Sequence, residues 1–372
     1  MKSSHDFVSL LETWLKRRAK STGVRRVSTS NIALSTDQGS VRVENQDRAV
    51  VARFTNKDSI SRIICIVADG MGGMESGLDC AAKAVSSFLG GCLKGIDTPV
   101  KKMLHDAVLM ADKYVHQVHE GRGGATLSAI CLVEAGEIHA VNVGDSRIYG
   151  ILDKNLIQLS KDDTLEGQFG NDGNLFLGRN ELIQYVGMGC GIIPNSFTFP
   201  QESDGWLIST DGVHFMASNI LEKITQNSSD SGTAAFRLTE MSQWLGGNDN
   251  ATCIVQLWRE KNWDFFRGDV AGLLEVWDSF GDLQLFIGDS ATKGDMILGD
   301  DISSCNSAKA PSHETKASHK DEKPVINESK KTSSSYKKNK LQEEAFEEDD
   351  RKDISQKSKP QLKMKFDESK DG

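Results

Sequence analysis

Residues 126–152 read TLSAICLVEAGEIHAVNVGDSRIYGIL. Aliphatic and β-branched residues fill 126–133, 137–143 and 147–152, and the two breaks, Glu134 to Gly136 and Gly144 to Ser146, are short and carry glycine. Breaks of that length join antiparallel neighbours, whereas a parallel pair needs a crossover of a dozen residues or more. The stretch is a three-stranded meander. Toward the N-terminus, the spacing predicts strands at about 40–44, 47–54 and 62–68, followed by two helices. The first helix opens on Ser76-Gly77-Leu78-Asp79, which has the form of a capping box, and the second repeats Val100, Met103, Leu104, Ala107, Val108, Ala111, Val115 and Val118 at three-or-four spacing. Toward the C-terminus come a Gly- and Asn-rich region from 166 to 200, a strand at 206–210, a helix around 233–245 and a strand at 252–258. Strands in runs and helices in pairs indicate an antiparallel α+β domain rather than a doubly wound parallel sheet.

The 372 residues are 38% apolar, enough for a sizeable core, and carry a net charge of -9, which argues against nucleic-acid or anionic-membrane binding by bulk electrostatics. No stretch is long and apolar enough to span a membrane. Of the seven cysteines, Cys65, Cys131 and Cys253 sit inside apolar strands and none forms a CxxC pair, so reduced, core-filling thiols and a cytoplasmic location are expected. Phe7, Val8, Leu10, Leu11, Trp14 and Leu15 lie at helical spacing before Lys16, Arg17 and Arg18, giving a helix that either docks on the domain or lies on a membrane surface. From residue 301 onward only eight Val, Ile, Leu or Phe residues occur, and that stretch reads as a disordered, charged tail. It is a flexible tether, a phosphorylation target around Thr332 to Ser335, or a solvated spacer.

Chemistry is carried by aspartates at strand ends and in glycine-bearing turns: Asp47 in RVENQDR (42–48), Asp69 in VADGMGG (67–73), Asp145 in VGDSR (143–147), Asp211 in STDGV (209–213) and Asp249 in GNDNAT (247–252). One such aspartate is a turn residue; five on a paired sheet can converge on one edge, where unpaired carboxylates repel and call for cations. Hard oxygen donors suit Mg²⁺ or Mn²⁺, and the eight histidines show no zinc spacing. Two such ions would activate water toward a phosphate ester.

In this order, NQD (45–47), VADGMGG (67–73), GGAT (123–126), VGDSRIY (143–149), LISTDGV (207–213) and DNAT (249–252) resemble the type 2C family of metal-dependent protein serine/threonine phosphatases. The resemblance implies a four-layer α-β-β-α sandwich, two antiparallel sheets flanked by helices, with a dinuclear Mn²⁺ or Mg²⁺ site at one end and a third, weaker metal. It implies that Asp69 bridges both metals, that the Gly70 carbonyl is a ligand, that Asp211 and Asp249 hold the first metal, that Asp47 orients metal-bound water and that Arg42 grips the substrate phosphate. Asp145 is either a ligand of the third metal or a hairpin-turn residue. Met71 stands where many eukaryotic members carry a histidine that protonates the leaving group; methionine there is the bacterial pattern and has no proton to give. Lys161-Asp162-Asp163-Thr164 replaces an Asp-His pair, the 166–200 region corresponds to a flap beside the site, and 182–187 resembles the strand that follows it.

The chain is thus expected to comprise an N-terminal helical extension (1–29), a catalytic domain (30–258), an apolar extension (259–300) and the tail (301–372). The extension either adds a helix and strand to the domain or presents a patch to a partner protein. The implied activity is hydrolysis of phosphoserine and phosphothreonine in proteins, opposed by a kinase, without a phosphoenzyme. A phosphatase-fold scaffold or sensor acting through a partner, and a phosphatase of small phosphate esters, are the competing readings.

Overall fold

The computed structural model describes residues 4–27, 30–56, 61–71, 76–133, 136–169, 181–200, 202–258 and 270–287. The tail, the 259–269 part of the extension and the 170–180 part of the flap region lie outside them. The meander is present as β5 (Leu127–Val133), β6 (Ile138–Val143) and β7 (Arg147–Leu152). β3 (Arg48–Thr55) pairs with β4 (Ser61–Ala68), which pairs with β5, so the 47–54 and 62–68 runs form a second hairpin beside the first.

The expected strand at 40–44 is instead a loop. Val41 and Val43 alternate with polar residues, yet they are 65% and 98% exposed, so the alternation buries nothing. The strands that fill this role are β1 (Thr22–Val27) and β2 (Ile32–Asp37), which pair with each other. The 1–29 stretch therefore contributes a strand as well as α1 (Ser4–Leu15).

Two antiparallel sheets result. One runs β1-β2-β11-β10-β7-β8, where β8 is Asn155–Gln158, β10 is Gly205–Ser209 and β11 is Ala251–Leu257. The other runs β13-β12-β3-β4-β5-β6-β9, where β9 is Asn195–Thr198, β12 is Leu273–Trp277 and β13 is Asp282–Phe286. Within β4, Ile63, Cys65 and Val67 point between the sheets, where they meet Ile208, Ile254 and Trp206. Ile64, Ile66 and Ala68 point the other way, into a core formed with α1, α2 (Gly77–Lys94) and α3 (Val100–His119). The first sheet's outer face is covered by α5 (Asp211–His214), α6 (Ser218–Gln226) and α7 (Ser231–Trp244). Burial on both faces of both sheets is what makes four layers.

Two further expectations are corrected. Ser76 caps α2 in the left-handed region (φ 57°) and its side chain makes no cap hydrogen bond, so there is no capping box. Residues 182–187 form only isolated bridges, Leu182 to Thr164 and Val186 to Ala125, and the strand of this region is β9. Within the extension, the described 270–287 stretch forms a two-stranded hairpin whose β12 pairs along β3, and residues 259–269 and 288–300 lie outside the described residues. α1 is docked: buried Lys83 of α2 reaches Glu12, at 2.5 Å, and Lys16 reaches Asp79 at 2.7 Å. Cys65, Cys131 and Cys253 are buried free thiols, and no described helix is long and apolar enough to cross a membrane.

Candidate metal centre

At one end of the sandwich, strand ends from both sheets deliver acidic side chains to a common mouth of about 140 Å³. Arg42, Asp69, Gly70, Asp145, Asp211 and Asp249 all line it, and Asp47 stands behind them. Six of the seven residues singled out from the sequence therefore share one small cavity, although they are up to 207 positions apart in the chain.

Asp69 is placed by the end of β4. Its backbone N–H donates to Thr126 Oγ1 (2.9 Å) and its carbonyl accepts from the Thr126 N–H (2.9 Å), while the Thr126 hydroxyl also meets Ser146 Oγ (2.7 Å). Thr126, the last residue of the GGAT motif, is thus the clamp that holds Asp69. Gly70 is required by close approach: a Cβ there would lie 2.1 Å from the Gly77 carbonyl oxygen. Gly212, beside Asp211, is equally constrained, its Cβ position lying 2.0 Å from the Asn250 oxygen. Asp211 opens α5 directly after β10, and Asp145 sits in the β6–β7 turn where Gly144 has φ 97°. That turn is pinned by Asp163, whose carboxylate accepts the Gly144 N–H (3.0 Å). Neighbouring Asp162 forks with Arg147 at 2.7 Å, so both carboxylates of the divergent Lys161-Asp162-Asp163 stretch serve as supports.

Asp47 is buried and precedes β3. Asn45 Oδ1 accepts its N–H (3.0 Å), and its Oδ2 accepts from Thr210 Oγ1 (2.9 Å). Thr210 in turn accepts from the Thr252 N–H, and Thr252 meets Thr36, so three hydroxyl side chains at the ends of β10, β11 and β2 back this one carboxylate. Asn250 accepts the Gln46 N–H and donates to the Gln38 and Glu44 carbonyls, tying the 38–47 loop to β11. Thr210, Thr252 and Asn250 lie inside quoted motifs, but their role was not read, because a hydroxyl or amide gives no sign in sequence of which remote carboxylate it will meet.

Electrostatics follow from crowding. Burial, then the charges of Asp211 and Asp249, push Asp47 up to about 7. Burial, then Asp47, Asp211, Asp145 and Asp249, hold Asp69 well above the ordinary carboxylate range. Burial and then Asp211 raise Asp145 to about 6, and burial and Asp249 raise Asp211 as well. Asp47 Oδ1 and Asp211 Oδ1 are buried without a hydrogen-bond partner. Orphaned carboxylate oxygens among mutually repelling carboxylates are a donor set suited to hard divalent cations. Among the described residues, however, no group of three or more His, Cys, Asp or Glu side chains is already closed into a cage. Asp249 is held at the rim, where its Oδ2 accepts from Arg42 Nη2 at 2.6 Å and its Oδ1 from the Asn250 N–H at 2.8 Å. That bond to Asp249 raises the already high pKa of Arg42. A wider groove of about 870 Å³ leads away from the mouth past Lys161, Arg147 and exposed Phe215.

Three comparisons bear on this arrangement. Serine/threonine phosphatase stp of Listeria monocytogenes is 27% identical over 238 residues, spanning 59% of this chain and 92% of the relative. Stp1 of Staphylococcus aureus, a serine/threonine phosphatase, superposes with a TM-score of 0.54 at 17% identity, covering 66% of this chain and all of the neighbour. The catalytic domain of serine threonine protein phosphatase PstP, solved in complex with two manganese ions, superposes with a TM-score of 0.50 at 24% identity, covering 63% and 97%. The Protein phosphatase 2C family model matches residues 40–254, more than half of the sequence and every strand-end aspartate described above, and the chain belongs to that family.

Proposed function

We propose that this protein is a metal-dependent protein serine/threonine phosphatase that removes phosphate from phosphoserine and phosphothreonine by direct attack of water, with no phosphoenzyme. The observation that carries this reading is the convergence of Arg42, Asp69, Asp145, Asp211 and Asp249 on one cavity in a chain of this family. The manganese pair belongs to the PstP catalytic domain, and Mn²⁺ or Mg²⁺ is proposed here on the fit of this chain's own oxygens. Asp69 would hold both ions, the Gly70 carbonyl the second, Asp211 and Asp249 the first, and Asp145 a third and weaker one. When bound, such ions supply a nucleophile at neutral pH and neutralise phosphoryl charge.

The chain's residues do the rest. Arg42 is a planar, permanently charged fork at the rim, suited to two equatorial phosphate oxygens, and it reaches them by exchanging Asp249 for substrate. Thr210 and Asn45 orient Asp47 so that its unpartnered Oδ1 accepts a proton from the attacking water. Among the described residues that line the mouth there is no histidine, lysine or tyrosine to protonate the leaving alkoxide. Met71 has no proton to offer, and the nearby His214 is buried, hydrogen-bonded to Ser209 and pushed down to about 3, so it is neutral. The departing oxygen is protonated from solvent. The groove past Arg147 and Phe215 is where the polypeptide flanking the phosphoresidue would lie. The buried free thiols support a reducing, cytoplasmic setting, and an opposing protein kinase would supply the substrates.

The test is phosphate release from a phosphothreonine peptide with Mn²⁺. Chelation and Asp69→Ala are each expected to reduce turnover at least about 10³-fold, the scale of losing the main electrostatic stabiliser. Activity indifferent to both would overturn the reading, and a higher kcat/KM for p-nitrophenyl phosphate than for peptide would redirect it to small esters.

A further inference from the structure

A second cavity, of about 500 Å³, opens on the flank of the acidic mouth and has Asp47 in its wall. That volume lies in the range that small-molecule sites occupy. Much of its wall is foreign to the residues that match the family. The end of α1 and the turn after it bring Arg17, Arg18 and Lys20, the β12–β13 turn brings Asp278 and Phe280, and the remaining wall is the 43–49 stretch with Arg48. Nothing about the metal centre requires these additions.

Five cationic side chains (Lys16, Arg17, Arg18, Lys20, Arg48) face three acidic ones (Glu44, Asp47, Asp278). Lys16 is engaged by Glu12 and Asp79, and Arg17 by Asp278 and the Trp14 ring. Arg18 and Lys20 are exposed and make no ion pair among the described residues. Arg48 differs from both. Its guanidinium is largely buried, and all of its hydrogen bonds go to carbonyl oxygens: Leu15 (2.8 Å), Asn45 (3.0 Å) and Asp47 (2.5 Å). A buried guanidinium that donates only to carbonyl oxygens carries a desolvation cost that the charges of Asp47, Asp278 and Glu44 offset only in part, and burial lowers its pKa. An anion entering the cavity would relieve that cost. Beside these charges, Phe280 lines the cavity, and its ring packs so closely on Gly23 that a Cβ there would lie 2.4 Å from Phe280 Cε1.

We propose that this cavity is a second ligand site, taking a small phosphorylated molecule with a planar ring, of the nucleotide class. The phosphate would lie among Arg18, Lys20 and Arg48, and the ring on Phe280. Arg48 also holds the Asp47 carbonyl, so ligand and divalent ion would sit on opposite sides of one residue. Their opposite charges make binding at the two sites mutually reinforcing, by the same factor in each direction. The coupling rests on the metal centre proposed above; the cavity does not.

The experiment is calorimetric titration of the full chain, stripped of metal, with AMP, adenosine and inorganic phosphate in turn. AMP should bind at least tenfold more tightly than either fragment. The double substitution Arg18→Glu, Lys20→Glu should weaken AMP at least tenfold with the melting temperature unchanged, and Phe280→Ala should abolish the preference for AMP over phosphate. Adding Mn²⁺ should tighten AMP binding about fivefold in the wild type, and not in Asp69→Ala. No binding of AMP at millimolar concentration, or binding indifferent to the double substitution, overturns the site. AMP binding that ignores Mn²⁺ in an enzyme that is active overturns the coupling. AMP binding in a chain without phosphatase activity leaves this site standing and sinks the reading of the mouth.

Discussion

The acidic mouth and the basic cavity lie either side of the Asn45–Arg48 stretch, and their charges are handled in opposite ways. In the mouth, carboxylates from remote strands are forced together, so Asp47, Asp69, Asp145 and Asp211 are held above the ordinary carboxylate range by burial and then by their neighbours. In the cavity, cations come mainly from segments flanking the family domain, and the buried one, Arg48, is pushed down by burial, which outweighs the raising charges of Asp47, Asp278 and Glu44. Both are unfavourable to the isolated fold. A fold tolerates such local costs where a ligand of opposite sign offsets them. The contrast also separates what the domain shares with its relatives from what this chain adds.

The comparison can be broken most severely at Gly70. Alanine there sets a methyl 2.1 Å from a backbone oxygen that belongs to the first turn of α2 and cannot yield cheaply. Gly70→Ala should cost about 3 kcal/mol of stability in denaturant unfolding without metal, beyond anything expected for an exposed cavity cation. A variant as stable as the wild type would show that the backbone gives way. Arg42 sharpens the contrast next. Removing its charge-assisted contact should raise KM for phosphopeptide about 10- to 100-fold with a smaller change in kcat, Arg42→Lys should recover part of the loss, and AMP affinity should not move. An effect confined to kcat would mean that Arg42 does not bind the ground-state phosphate.

The smallest effect is in pH dependence. Asp145 and Asp47 titrate near 6 and 7 in the folded chain but near 4 when unfolded. Between those values the metal-free folded chain holds protons that the unfolded chain has released, so its stability falls as pH rises from about 4 to 7. Asp145→Asn removes part of this decline and should stabilise the metal-free protein at pH 8 by on the order of 1 kcal/mol. Identical thermal-melting profiles for variant and wild type between pH 4 and 8 would refute the account in which burial and like charge raise Asp145.

Most of the sandwich was legible where burial and periodicity coincide, as in β3 to β7. It was misread where they separate. β2 is entirely buried, yet its second half is Ser35-Thr36-Asp37, whose polar groups are satisfied by Thr239, Thr252, Thr22 and Gln243 across the fold. Such a strand looks like a loop until its partners are known. Conversely, Val41 and Val43 mimic a strand while facing solvent. At the mouth, the aspartates announced themselves through adjacent glycines, because close backbone approach leaves a mark in composition. Thr210, Asn250 and Asp163 left none, since their function depends on contacts made only after folding. The cavity cations were visible in sequence as a basic helix end, but the wall opposite them comes from residues more than 250 positions away.

The hairpin of β12 and β13 gives this chain a particular vulnerability. By pairing along β3 it turns what would be a bare flank into an interior strand. A polypeptide shortened to residue 258, trimmed to the length of its relatives' domain, would leave the hydrogen-bonding groups of Val51 to Phe54 open and invite two molecules to zip together. Residues that contribute nothing to hydrolysis would then decide whether the enzyme stays dispersed.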